Sequence, residues 1–392
     1  MISLLAKLFI KNRDDTSSPA VRQAYGILCG SVGIGLNLLL FLGKFLAGFL
    51  SHSIAITADA FNNLSDAGSS LITLAGFRMA GQKPDPRHPF GHGRIEYLSG
   101  LFVSIAILIM AFELVRSSVD KILHPQPVEF SLLAAGILAV SIGVKLYMAY
   151  YNRSVAGKID SAAMKATATD SLSDTLATSV VLAASVTGHF TGLDIDGYCG
   201  VLVGLFIFYA GYCAAKDTIS PLLGQPPQPG FVRNVERIVT GYENVLGIHD
   251  MIVHDYGPGR VMLSLHAEVP ADGDLLVLHD MIDNIEHHLQ NELHCEAVIH
   301  MDPVITNDRH TNRMKREVDG LLKEKYPEIR FHDFRIVEGP THTNIIFDIV
   351  VPFGYRAQDK EIVEYLSSQI HKKNETHYAV IQVDRAYTND VP

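Results

Sequence analysis

The sequence predicts an α-helical membrane protein with six transmembrane helices, followed by a small α/β domain and a second, degenerate copy of that domain. Three observations predict it. Apolar residues crowd positions 24–217 while charged ones dominate 230–392; carboxylates recur inside the apolar part; and a pattern running from His249 to Asp302 returns between His332 and Asp384. A mean hydropathy of +0.18 averages over these unlike halves and conceals both.

In chain order, residues 1–22 read as a cytoplasmic amphipathic segment whose apolar run is broken by Lys7, an interfacial helix and not a cleaved leader. Six stretches are long and apolar enough to span a bilayer, at about 24–50, 53–78, 95–116, 130–151, 166–190 and 193–215, giving a membrane domain over 23–217. Lys7, Lys11, Arg13, Arg22, Arg78, Lys83, Arg87, Arg94, Arg153, Lys158 and Lys165 all fall on one side of these spans. The positive-inside bias therefore puts both termini in the cytoplasm. The net charge of −10, without a basic cluster, excludes nucleic acid as a partner. Cys29, Cys199, Cys213 and Cys295 have no paired spacing and read as small hydrophobes, neither disulfides nor metal ligands.

Spans two and five carry the chemistry. Asp59, Asn62, Asn63 and Asp66 lie in the second, Asp170 and Asp174 in the fifth. A carboxylate at bilayer depth costs on the order of 2.5–3.5 kcal/mol on insertion scales, so it needs a partner, a proton or a metal ion. Residues four apart share a helix face, so Asn62 with Asp66 and Asp170 with Asp174 each aim two oxygens one way. Two such helices face to face make a four-oxygen cage. Polar packing against the neighbouring Ser and Thr is the alternative, but hydroxyls and amides alone would do that without three carboxylates.

Between spans two and three, Asp85, His88 and His92 fall within eight residues, with Glu96 nearby. This spacing suits a borderline divalent ion such as zinc, and equally a Pro- and Gly-rich turn whose histidines face water. Residues 218–230 are a Pro- and Gly-rich hinge. The first α/β domain, 231–304, reads as helix 231–242, strands 249–256 and 260–269, helix 275–293 and strand 296–302. The second copy occupies 310–392. It replaces His266 and His300 with Asp348 and Gln382, which implies a metal site lost or altered in preference and a structural or protein-binding role.

With paired ligands on spans two and five, H-P-F-G-H-G-R-I-E between spans two and three, and a soluble domain ending in H-M-D-P, residues 20–303 resemble the cation diffusion facilitator family. The resemblance implies a homodimeric exporter of divalent metal, multi-pass in a bacterial inner membrane, that exchanges cytoplasmic metal for protons. It further implies that both soluble copies are ferredoxin-like, metallochaperone-like domains. It makes Asn62, Asp66, Asp170 and Asp174 the transport site, Asp85, His88 and His92 a loop site, and His249, His266, His279, His300 and Asp302 regulatory sites. No prosthetic group is implied; Mn²⁺, Zn²⁺ or Fe²⁺ enters as substrate and regulator.

Zinc-transporting members usually carry a histidine in the quartet, and this quartet has none. Its Asn-Asp-Asp-Asp set resembles that of manganese exporters, and oxygen ligands by themselves suit harder ions such as Mn²⁺. The expected order of cargo is Mn²⁺, then Fe²⁺, then Zn²⁺. Competing functions are an intramembrane aspartyl protease, whose G-x-G-D signature is missing here, and a metal sensor that keeps the fold without transporting.

Overall fold

A computed structural model describes residues 2–16, 18–51, 54–124, 132–191 and 196–385. Their contacts divide them into two compact units: residues 1–225 with 255–260, and residues 226–254 with 261–392.

The first unit opens with a short helix, α1 (Ile2–Phe9), followed by six long ones: α2 (Pro19–Ser51), α3 (Ile54–Ala80), α4 (Ile95–Leu123), α5 (Leu132–Ile159), α6 (Ala162–Thr191) and α7 (Asp196–Leu223). The shortest of the six, at 27 residues, is about 40 Å long and exceeds a hydrocarbon core of about 30 Å. Among the described residues, four helices (α2, α4, α5 and α7) are apolar enough to be recognised as membrane spans by composition. The two that fall short, α3 and α6, are those that carry the asparagines and aspartates, so the polar residues themselves mask these spans.

Helix α2 packs on α3, α4 on α7 and α5 on α6. Small residues allow the close approach. A Cβ built on Gly26 of α2 would fall 2.1 Å from the Phe77 ring of α3, and one on Gly30 would fall 2.8 Å from the Leu74 Cβ. Helix α1 lays Ile2 and Ala6 against a core of Tyr25, Cys29, Met148 and Tyr151, while Leu4, Leu8 and Phe9 stay exposed.

The second unit repeats one supersecondary pattern. The first copy runs α8 (Pro229–Val239), β1 (Gly247–Asp255), β2 (Val261–Pro270), α9 (Leu275–Leu293), β3 (Cys295–Val304); the second runs α10 (Arg309–Lys325), β4 (Arg330–Glu338), β5 (Thr343–Val351), α11 (Asp359–Lys373), β6 (His377–Arg385). Each copy has a three-stranded sheet, ordered β1-β2-β3 and β4-β5-β6. Asp274 caps α9 and Asp308 caps α10, each carboxylate accepting from two backbone amides of the first turn. Along β2, Leu263, Leu265, Ala267 and Val269 are buried in the core of their copy; along β5, Ile345, Phe347, Ile349 and Val351 do the same. Strand alternation therefore turns His266 and Asp348 to the opposite faces of their sheets.

Candidate metal centre

In the first unit, Asp66 of α3 and Asp170 and Asp174 of α6 lie around Lys145 of α5. The Lys145 ammonium donates to Asp66 Oδ2 and to Asp174 Oδ2, both at 2.7 Å, and its side chain is only 4% exposed. Asp170, one turn before Asp174, is buried. The Thr73 and Thr167 hydroxyls, 2.9 Å apart, join α3 to α6. The hydroxyls of Thr167, Ser171 and Thr175 donate to carbonyls four residues back in their own helix. They are thus committed to backbone, and the charged partner of the carboxylates is a lysine.

Of the sequence-derived quartet, three members come together here and one does not. Asn62 is exposed, whereas its neighbour Asn63 is buried and donates its amide to Asp66 Oδ2 at 3.4 Å. One residue is a rotation of about 100° around a helix, so the choice between adjacent asparagines rests on how α3 is turned. The side chain of Asp59 lies outside the described residues. The positive-inside reading, which weighs basic residues only in loops, does not reach Lys145. The signal was a single lysine inside an apolar span, which at that depth requires a partner. Lys44 of α2 is also buried, within electrostatic reach of Asp66. Among the described residues, three carboxylates thus stand near two lysines.

The loop residues Asp85, His88 and His92 do converge. His88 Nδ1 is 3.4 Å and His92 Nε2 3.5 Å from the Asp85 carboxylate, and the two rings are 4.6 Å apart. The amides of Arg87 and His88 donate to Asp85 Oδ1, and the His88 amide above all holds this carboxyl below its ordinary range. Buried His92 Nδ1 has no hydrogen-bond partner, which leaves a donor atom for a cation. Glu96 does not join them; it is buried against Arg22 at 3.4 Å.

In the second unit, Asp302 of β3 is the hub of the first copy. It lies 2.9 Å from His249 Nε2, 2.8 Å from His266 Nδ1 and 3.2 Å from His300 Nε2. The parallel register that sets His266 opposite His300 and Glu268 opposite Asp302 puts these side chains on one face. His279 stands on the exposed side of α9 and pairs with Asp283 at 3.5 Å. All four cysteines are free. Three imidazoles on one carboxylate make a set of mixed nitrogen and oxygen donors suited to a borderline divalent cation.

A six-helix unit with paired intramembrane carboxylates, joined to a histidine-bearing α/β unit, defines a membrane carrier for metal cations. The family model for the cation efflux transmembrane domain matches residues 31–223, and that for the cation efflux protein cytoplasmic domain matches 227–304. The chain belongs to the cation efflux, or cation diffusion facilitator, family: it is a multi-pass membrane transporter of divalent metal and not an enzyme.

Among its relatives is an uncharacterized transporter of Methanocaldococcus jannaschii, 31% identical over 68% of this chain and 95% of the relative. The manganese efflux system protein MneS of Bacillus subtilis is 27% identical over 70% of this chain and 94% of its own length. The cation-efflux pump FieF of Salmonella newport is 26% identical over 72% and 95%.

Proposed function

We propose that the chain exports Mn²⁺ from the cytoplasm by proton antiport, with Fe²⁺ and then Zn²⁺ as lesser cargo. The observation that carries this reading is the donor set around Lys145: Asp66, Asp170 and Asp174 offer oxygen only, and the adjacent asparagines would add one amide oxygen. The relative named as a manganese efflux protein supports the same choice.

Asn62, Asp66, Asp170 and Asp174 are the proposed ion ligands. Asn62 would reach the ion only after α3 turns to exchange it with Asn63. Lys145 occupies the carboxylates in the conformation described, so an arriving ion must displace a tethered cation before it gains both Oδ2 atoms. Once metal is released, the carboxylates need replacement positive charge in a low-dielectric site. The return of Lys145 and the uptake of protons supply it.

Asp85, His88 and His92 would gather metal at the cytoplasmic face, and the His249–His266–His300–Asp302 cluster would report its level. The remaining proposals are a homodimer with cytoplasmic termini in a bacterial inner membrane, an N-terminal segment 1–22 at the bilayer surface, and a hinge narrowed from 218–230 to 224–228, because α7 continues to Leu223 and α8 begins at Pro229.

Proteoliposomes test this directly. Mn²⁺ uptake should accelerate when a proton gradient opposes it and collapse when an uncoupler removes the gradient. Uptake indifferent to the gradient would remove the antiport step, and a preference for Zn²⁺ would overturn the assignment of cargo.

A further inference from the structure

The two copies of the second unit meet where their first strands bear the same dipeptide, His249–Asp250 and His332–Asp333. Both aspartates take the left-handed backbone, with φ of +50° and +54°. Around the second, the β4–β5 register shifts, a local irregularity that re-aims the neighbouring side chain. The two imidazoles stack with centroids 4.4 Å apart. Each reaches the other copy's aspartate: His249 Nε2 is 3.9 Å from Asp333, and His332 Nε2 is 3.5 Å from Asp250.

The surroundings of His332 are rich in oxygen. Asp333 and Asp348 each present a carboxylate oxygen that, with a His332 ring nitrogen, forms a set within 4.8 Å, and Asp384 Oδ2 is 3.7 Å from His332 Nε2. The His332 side chain is 8% exposed, yet neither ring nitrogen has a hydrogen-bond partner, and Asp384 Oδ2 is likewise buried without one. Buried groups left so are rare unless something absent from the protein chain completes them.

We propose that the second copy has a metal site of its own, formed by His332, Asp333, Asp348 and Asp384 and completed by Asp250 from the first copy, which takes a hard divalent cation. The exchange of His266 and His300 for Asp348 and Gln382 leaves open, from sequence, a site lost or altered in preference; the geometry points to the second, a changed donor set. Where the first copy offers three imidazoles around one carboxylate, the second offers one imidazole among carboxylates. Softness therefore separates the two sites: borderline ions suit the first, Mn²⁺-like ions the second. Because Asp250 crosses between copies, the ion would also tie them together.

The test uses the full-length protein in detergent with Mn²⁺ alone as probe, counted by equilibrium dialysis and by loss of the free-ion EPR signal. Asp66→Asn with Asp174→Asn forms the background, which removes the intramembrane ligands and makes the result independent of transport. Adding His332→Ala and Asp348→Asn should lower bound Mn²⁺ by about one ion per chain while Zn²⁺ binding at the first copy persists. In a second variant, Asp348→His with Gln382→His restores the first copy's donors and should turn this site from Mn²⁺ to Zn²⁺ preference. Unchanged Mn²⁺ stoichiometry in the first variant, or a second variant that folds without gaining Zn²⁺, would overturn the site.

Discussion

Lys145 Nζ lies 2.7 Å from Asp66 Oδ2, and the same atom lies equally close to Asp174 Oδ2, so α5 supplies a cation that bridges α3 and α6. A buried ion pair of this kind is weak evidence for stability, because desolvation offsets much of the attraction. Its position between two proposed metal ligands gives it a different use. In the proposed cycle it would hold like charges together between ions and compete with the ion for them.

Replacing Lys145 with Met should therefore tighten Mn²⁺ binding and slow its release. A unit charge at about 4 Å is worth about 4 kcal/mol at an effective dielectric constant near 20, roughly a thousandfold, and desolvation offsets part of it, so an effect of at least about tenfold is expected. Equilibrium dialysis beside proteoliposome flux separates the two quantities. Unchanged affinity and unchanged flux would show that the lysine is a bystander.

Asp66→Asn or Asp174→Asn should abolish transport, since each removes a charged ligand and leaves Lys145 hydrogen-bonded to a single carboxylate. Folding is checked independently by detergent-exchange chromatography. Wild-type rates from either variant would take these residues out of the transport path.

Asn62→His should raise Zn²⁺ flux relative to Mn²⁺, because an imidazole four residues from Asp66 builds the nitrogen-plus-carboxylate site that zinc favours. Asn62→Asp, which changes charge without softness, should strengthen binding and leave the ratio alone. Asn63→His is the necessary companion, since Asn63 is the buried neighbour of Asp66 in this conformation. A shift seen only with Asn63→His would transfer the ligand role to it.

The α2–α3 contact predicts a packing cost. Gly26→Ala would drive a methyl group into the Phe77 ring, which is only 1% exposed and has little room to yield. Overpacking of this sort costs about 1–3 kcal/mol. Thermal unfolding in detergent should show the loss, with Phe77→Leu recovering part of it in the double variant.

Asp308 provides a pH dependence away from metal. Its carboxylate accepts from the Thr311 hydroxyl, the Thr311 amide and the His310 amide, and these bonds, the hydroxyl first, hold its pKa below the ordinary value. A lowered folded pKa stabilises above the unfolded carboxylate pKa of about 3.9 and loses that contribution as pH falls through the folded value. Asp308→Ala should thus speed hydrogen exchange at residues 310–312 near neutral pH. The gap from wild type should close in acid, and a gap constant with pH would deny the cap this role.

Helix number and the repeated α/β pattern were legible because both are written in local periodicity. The apolar runs marked the spans, alternation over 249–256 and 260–269 marked the strands of the first copy, and the repeated pattern between His332 and Asp384 marked the second. What remained hidden was relational. That α5 brings Lys145 to α3 and α6 depends on which helices pack together, and the choice of Asn63 over Asn62 depends on a fraction of a helical turn. The loss of His266 and His300 in the second copy was plain, but its meaning was not. In the proposed site Asp250 and Asp333 would compensate, from positions with a positive-φ backbone that residue type alone does not announce.

The stacked His249 and His332 rings carry an evolutionary consequence. Where two identical subunits meet, every substitution occurs on both sides at once, and the meeting place stays symmetric. Here the two sides are encoded separately, in register 83 positions apart at the His-Asp dipeptides. One half could trade histidine for aspartate while the other kept its imidazoles. Covalent tandem arrangement thereby opens to a single polypeptide a division of labour between neighbouring halves that identical partners cannot reach.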